Sequence, residues 1–289
     1  MSARAMKAIA TRTKPGVSPL PPNHWEGTMS TVANALPYDN RFADAAAPAS
    51  LTKEMAPKTK ARLGGALFLA TIVGGIVAQG VISDRLIVTG DAAATARNFA
   101  ANQTLIRAAF AIFMIEMACQ TASTAVMYDL LMPVDRSLAR IAAVFGYVGS
   151  GIKAMARLFF YAPLFVLGGA SYLSAFDAKQ LEAMAYLLIR TNALGTQIAL
   201  IFFGVGTVLT GYLMFRATFL PRLLGILSLI GGAAWLTFVY PPLGSRLFLP
   251  IALFALFGCA VTIGWLLIRG VDEKKWYEMA AASSSAIWR

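Results

Sequence analysis

"NALGTQIALIFFGVGTVLTGYLMF", residues 192–215, holds no charged side chain along its whole length and is closed by Arg216. As a helix it is about 36 Å long, enough to cross roughly 30 Å of hydrocarbon. The same pattern repeats outward from it. On the C-terminal side, 223–240 is uncharged and ends at Pro241 and Pro242, and 247–268 is uncharged and ends at Arg269. On the N-terminal side, 63–83 lies between Lys58, Lys60 and Arg62 and the pair Asp84 and Arg85. Two further apolar stretches, 105–132 and 138–167, carry charges in their interiors. These runs predict an all-α protein, a polytopic membrane helix bundle with six transmembrane helices at about 63–83, 105–132, 138–167, 192–215, 223–240 and 247–268.

Composition agrees. The chain of 289 residues is 58% hydrophobic and 13% charged, with mean hydropathy +0.64. A soluble domain is nearer a quarter charged, so a soluble globule of this size lacks polar surface to cover itself. The net charge of +11 raises nucleic acid as a partner. The cations instead flank apolar runs, where they meet anionic headgroups, so the expected partners are membrane lipids and not nucleic acid. If the residues before the first helix are cytoplasmic, the larger share of Lys and Arg falls inside. That places both termini in the cytoplasm and the chain in the bacterial inner membrane.

Outside the helices the pattern weakens. Residues 1–57 are rich in Ala, Pro, Ser and Thr and predict a flexible tail; a true start at Met29 or Met55 is the alternative reading. Residues 90–103 predict a short helix capped by Asp91. The polar stretch from Asp177 to Arg190 predicts an external loop with an amphipathic turn or two, and 271–289 a short cytoplasmic tail. Cys119 and Cys259 sit in apolar runs as small hydrophobes, and the single histidine, His24, lies in the tail. No histidine-based metal site or triad is expected, and no cofactor motif is present.

The informative residues are the charges inside the apolar stretches. Counted along helices that end near Met132 and begin near Leu138, Glu116 lies about 24 Å from the cytoplasmic end, Lys153 about 22 Å and Arg157 about 28 Å. One acid therefore meets two bases at one level of adjacent antiparallel helices, with Gln120 one turn from Glu116. An unpaired charge at mid-bilayer costs roughly 2.5–3.5 kcal/mol, so these groups are expected to face the bundle interior. Glu116, Gln120, Lys153 and Arg157 are the candidate intramembrane cluster. Arg216, Pro221 and Arg222 form a candidate cytoplasmic turn, with Phe219 and Leu220 expected among the headgroups. Gly146, Ser150, Ala154, Gly206, Gly211, Gly231 and Gly232 make small helix faces, suited to close packing or to a protein partner or second copy.

Four blocks resemble a bacterial multi-pass membrane family known only as domain of unknown function 4386. They are "ARLGGALFLATIVGG" at 61–75, "VTGDAAATARNFAAN" at 88–102, "LLMPVDRSLARIAAVF" at 130–145 and "FFGVGTVLTGYLMFRATFLPRLLGILSLIGG" at 202–232. The resemblance spans about 60–270 and implies the membrane fold, with no assigned activity, cofactor or catalytic residue. Three functions stay open on the residues: a non-catalytic membrane component, a small-solute or proton-coupled transporter using Glu116 with Lys153 and Arg157, and an intramembrane enzyme acting on lipid. The first commits to least and is the expectation; no catalytic activity is expected.

Overall fold

The computed structural model describes residues 55–286, so the tail expected over 1–57 lies outside the described residues up to position 54. Eight helices organise what is described: α1 Pro57–Leu86, α2 Ala92–Ala101, α3 Gln103–Leu131, α4 Arg136–Tyr161, α5 Ala178–Arg216, α6 Arg222–Trp235, α7 Phe248–Ile268 and α8 Glu273–Ala286. Short helical turns at Pro163–Val166 and Pro241–Arg246 join them, and no strand occurs among the described residues. Five helices, α1, α3, α5, α6 (with its 3-10 extension to Val239) and α7, are long and apolar enough to cross a membrane. This is the anatomy of a multi-pass membrane protein.

Local chemistry sets the helix starts. Asp91, Asp135 and Asp177 each accept a hydrogen bond from the third backbone N–H of the helix that follows, at 2.8, 2.9 and 2.8 Å. Each thereby satisfies one of the N–H groups that a helix leaves unpaired. At Asp177 the cap is reciprocal, because Gln180 accepts from the Asp177 N–H at 3.0 Å.

That capping box corrects the expected loop after Asp177. The helix expected from 192 begins at Ala178, and α5 is 39 residues long. Charges at Lys179, Glu182 and Arg190 end a hydrophobic run, but they do not end a helix whose residues are good helix formers. About 20 Å of α5 therefore stands beyond its uncharged part. There α2 packs on it, and the Gly90 N–H donates to the Tyr186 hydroxyl at 2.8 Å.

Three other bounds differ from expectation. The third helix stops at Tyr161 and not at 167, since Pro163 cannot continue the backbone ladder. The fifth tightens into a 3-10 turn over Leu236–Val239 before Pro241. The expected C-terminal tail contains α8, held by three bonds: the Asp272 N–H to the Phe219 carbonyl at 3.2 Å, the Lys58 N–H to Glu273 Oε1 at 3.3 Å, and Trp276 Nε1–H to the Leu130 carbonyl at 2.9 Å. Trp276→Phe keeps a six-membered aromatic ring and removes the pyrrole N–H that makes the last of these bonds. It is expected to cost about 1 kcal/mol, seen as a small fall in the thermal unfolding midpoint of detergent-solubilised protein; an unchanged midpoint would show that this bond contributes nothing.

The six long helices form a closed ring. α1 packs on α3, α3 on α4, α4 on α5, α5 on α6, α6 on α7, and α7 returns to α1. α4 carries its mid-helix charges, Lys153 and Arg157, on the inner side of this ring, while Arg136 and Arg140 near its start are exposed. Gly146, Gly149, Ser150 and Arg157 are buried, whereas Ile141, Val144, Val148 and Met155 are exposed as an apolar stripe. A contiguous exposed apolar face of this kind suits lipid.

Glycines set the closest seam. Gly204 faces Gly232 and Gly211 faces Gly225, so α5 and α6 meet backbone to backbone at two levels seven residues apart. A Cβ on Gly211 would stand 2.7 Å from the Leu229 nitrogen, and one on Gly232 would stand 2.7 Å from the Val208 nitrogen. Both distances are too short to exist, so only glycine permits the contact. Gly231 meets nothing within 4 Å and borders the ring interior instead.

One end of the ring is shut. Leu130, Leu131, Ala139, Leu213, Leu224 and Leu266 form a buried cluster there, joined by Phe219 and Leu220 from the turn between α5 and α6. Phe219 and Leu220 are therefore core residues, not headgroup residues as expected. The turn folds under the bundle, and its carbonyl at Phe219 is the one bonded by Asp272. Arg216 and Arg222 stay outside, over the rings of Tyr212 and Phe215, each at 5.8 Å.

Candidate functional site

Inside the ring lies a cavity of about 920 Å³ bordered by residues of all six long helices. Its charged lining residues are Glu116, Lys153, Arg157, Asp84 and Arg190. Asp84, Thr89 and Arg190 at one end are exposed, whereas Leu131, Ala139 and Leu266 at the other are buried. The cavity thus opens towards the Asp84 end and is closed by the apolar cluster at the other.

Two of these charges meet directly. Glu116 on α3 is 3% exposed and accepts a charged hydrogen bond from the Lys153 ammonium of α4 through Oε1. Room for this carboxylate comes from α1. A Cβ on Gly75 would lie 3.3 Å from Glu116 Oε1, and one on Gly74 would lie 3.5 Å from Glu116 Cβ. Gly75 thus lets α1 pass close beside the carboxylate, where an added Cβ would press on it, while Gly74 has room for ordinary contact. The two glycines close the block "ATIVGG", and the block itself does not show which side chain they admit.

Arg157 departs from expectation. It does not share the acid with Lys153 through a hydrogen bond. Its Nη1 donates to Asn192 Oδ1 at 3.2 Å and, at the edge of hydrogen-bond range, to Gln79 Oε1 at 3.4 Å. Its guanidinium carbon sits 3.6 Å from the centre of the Phe113 ring. A planar cation over an aromatic face is attracted by the ring quadrupole, most strongly where water is excluded. The side chain is 2% exposed, and its Nε is buried with no hydrogen-bond partner among the described residues; the same holds for Glu116 Oε2.

Gln79 was not foreseen. It lies in a π-helical segment, Ile76–Ser83, where the backbone of α1 widens by one residue per turn and Ser83 donates to the Ala78 carbonyl at 2.6 Å. Such segments recur at functional sites because they re-aim a side chain. Here Gln79 joins two groups: its Nε2 donates to Asp84 Oδ1 at 2.7 Å, and its Oε1 faces Arg157. A chain of polar contacts therefore runs from the exposed Asp84 to the buried Arg157 and on to Asn192. A Gln inside an uncharged run gives no periodicity signal, so nothing in the sequence singles it out.

Gln120 borders the cavity one turn from Glu116, and its side chain makes no hydrogen bond among the described residues. Thr196 and Gln197 of α5 border it as well. Gly149 and Gly151 lie in unbroken α4, with Gly149 packed against Phe203. The turn residues Arg216, Pro221 and Arg222 lie outside the cavity lining, so the two candidate sites are separate. Among the described residues no group of His, Cys, Asp and Glu is arranged to hold a metal ion.

The arrangement can hold a polar solute against two cations and one carboxylate in a largely apolar chamber. In sequence comparisons, the pattern of the family described as "Domain of unknown function (DUF4386)" matches residues 63–270, which reach into every helix that borders the cavity. No curated protein and no solved structure matches the chain.

Proposed function

We propose, for a chain that belongs to the DUF4386 family of unknown function, that it is a small-solute transporter whose solute binds at Glu116, Lys153 and Arg157. In this reading α4 is a sixth span, both termini are cytoplasmic, and the cavity in this conformation faces the opposite side. The excess of Lys and Arg at the closed end supports that orientation. The single observation that carries the proposal is that the buried cluster borders a cavity reached from one end, where a purely structural ion pair needs only its own partners. A chamber closed at one end by packed side chains is the arrangement from which alternating access proceeds.

Water reaching the cluster is the testable core of this reading. Thr196→Cys, in a Cys119→Ala and Cys259→Ala background, places one thiol on the cavity wall. Ile198→Cys, two residues on, places one on the exposed apolar face. In right-side-out membrane vesicles a charged thiosulfonate reagent is expected to modify position 196 within minutes and to leave position 198 unmodified. Equal protection of both, with full reaction after denaturation, would mean a sealed bundle and a structural role for the ion pair.

A further inference from the structure

The cavity is divided in cross-section, and the division identifies a ligand class. Its buried charges come from α3 and α4, with Gln79 and Asn192 beside them. The opposite wall, from α6 and α7, is uncharged and built from side chains such as Leu227, Trp235, Phe248, Ala255, Leu256 and Cys259. The charge at the centre is also unequal. Lys153 and Arg157 face Glu116 alone, which leaves one positive charge in excess; adding Asp84 and Arg190 at the mouth leaves the excess at one.

One donor reaches the cavity, and a second lies buried behind it. The Lys153 side chain is 16% accessible and uses one of three N–H groups on Glu116. Arg157 holds a buried Nε–H without a partner. A buried donor without an acceptor carries a desolvation penalty that a bound anion relieves. An ammonium ligand would find Glu116 Oε2 as an acceptor but would meet two cations against one carboxylate, so net repulsion opposes it.

We infer that the solute is an organic monoanion with an apolar tail, its carboxylate or similar headgroup at Lys153 and Arg157 and its tail against α6 and α7. This rests on the solute-binding reading above and narrows it. A dianion would neutralise one charge too many and place its second group on the uncharged wall. A small inorganic anion would leave the apolar wall uncovered. The volume of about 920 Å³ is at the upper end for small-molecule sites and accommodates an acyl chain. Such an anion can come from the aqueous side or from the bilayer, and the headgroup chemistry is the same.

Calorimetric titration of the full chain in lipid nanodiscs tests the class. The ligands are hexanoate, hexylammonium, 1-hexanol and adipate, with oleate preloaded in a parallel set. Hexanoate is expected to bind at least about tenfold more tightly than the other three small probes, the order of effect of one charge pair in a partly screened site. Competition by preloaded oleate would place the source in the bilayer, and its absence would place it in water. Glu116→Gln with Lys153→Gln removes one of the two headgroup donors at an unchanged excess of one charge, and is expected to weaken hexanoate binding while keeping its preference over hexylammonium. Adding Arg157→Gln removes that excess and is expected to weaken binding about tenfold or more. Comparable binding of hexylammonium, hexanol or adipate would overturn the inference. Undiminished hexanoate binding in a folded triple variant would do the same; if that variant does not fold, selectivity of the unaltered chain decides. Should selectivity fail while position 196 remains open to the thiol reagent, only the ligand class falls. Should position 196 be sealed, the site itself falls.

Discussion

Gly225→Leu is expected to leave little or no folded protein. The Cβ of any residue at this position falls on the backbone nitrogen of Phe215 and the carbonyl oxygen of Gly211, atoms that cannot rotate aside. Only separation of α5 from α6 relieves the clash, and separation opens the seam at Gly204 and Gly232 as well, because both helices are rigid between the two levels. Overpacking a flexible core costs about 1–3 kcal/mol. Driving two helix backbones apart costs more, against a total stability of about 5–15 kcal/mol for an ordinary domain. The measurement is the yield of monodisperse protein by size exclusion in mild detergent. Gly231→Ala is the control, since nothing lies within 4 Å of the added methyl, and it is expected to match the unaltered chain. Normal yield from Gly225→Leu would show that the seam does not hold the bundle together.

The second large effect concerns the ion pair. Glu116→Leu leaves Lys153 beside Arg157 with no acid to separate them, and Lys153→Met leaves Glu116 buried without a donor. Removing one partner of a buried pair costs about 3–5 kcal/mol, while replacing both by apolar groups is often close to neutral. Each single variant is therefore expected to unfold far more readily, and the double variant is expected to recover most of the loss. Thermal unfolding of the four proteins gives the coupling directly. Additive losses would mean that Glu116 and Lys153 act independently despite their contact. Recovery of stability without recovery of solute binding would separate the structural part of the cluster from its ligand-binding part.

Much of this architecture was legible because it depends on local properties. Uncharged runs at spanning length mark α1, α6 and α7, and the acid Asp91 ahead of helix formers marks the start of α2. Depth matching along adjacent antiparallel helices brought Glu116 and Lys153 together, since helical rise is fixed. The same length argument misplaced the start of α5. Hydropathy reports where a chain enters water, whereas a helix continues for as long as its backbone bonds are satisfied and its start is capped, as Asp177 and Gln180 arrange. Phe219 and Leu220 were misread for a related reason: a turn next to arginines looks interfacial until α8 is known to fold across it.

That this chain is an all-helical membrane bundle with charges that must turn inward follows from residue order alone, because apolar length and the cost of an unpaired charge are properties of single segments. Only the tertiary structure decided how those charges are shared, with Lys153 on Glu116 and Arg157 on Asn192, Gln79 and the Phe113 ring, around a cavity open at one end. Partner choice depends on how each helix is rotated about its own axis against its neighbours. That rotation is set by glycine contacts such as Gly75 with Glu116 and Gly211 with Gly225, which no single segment contains.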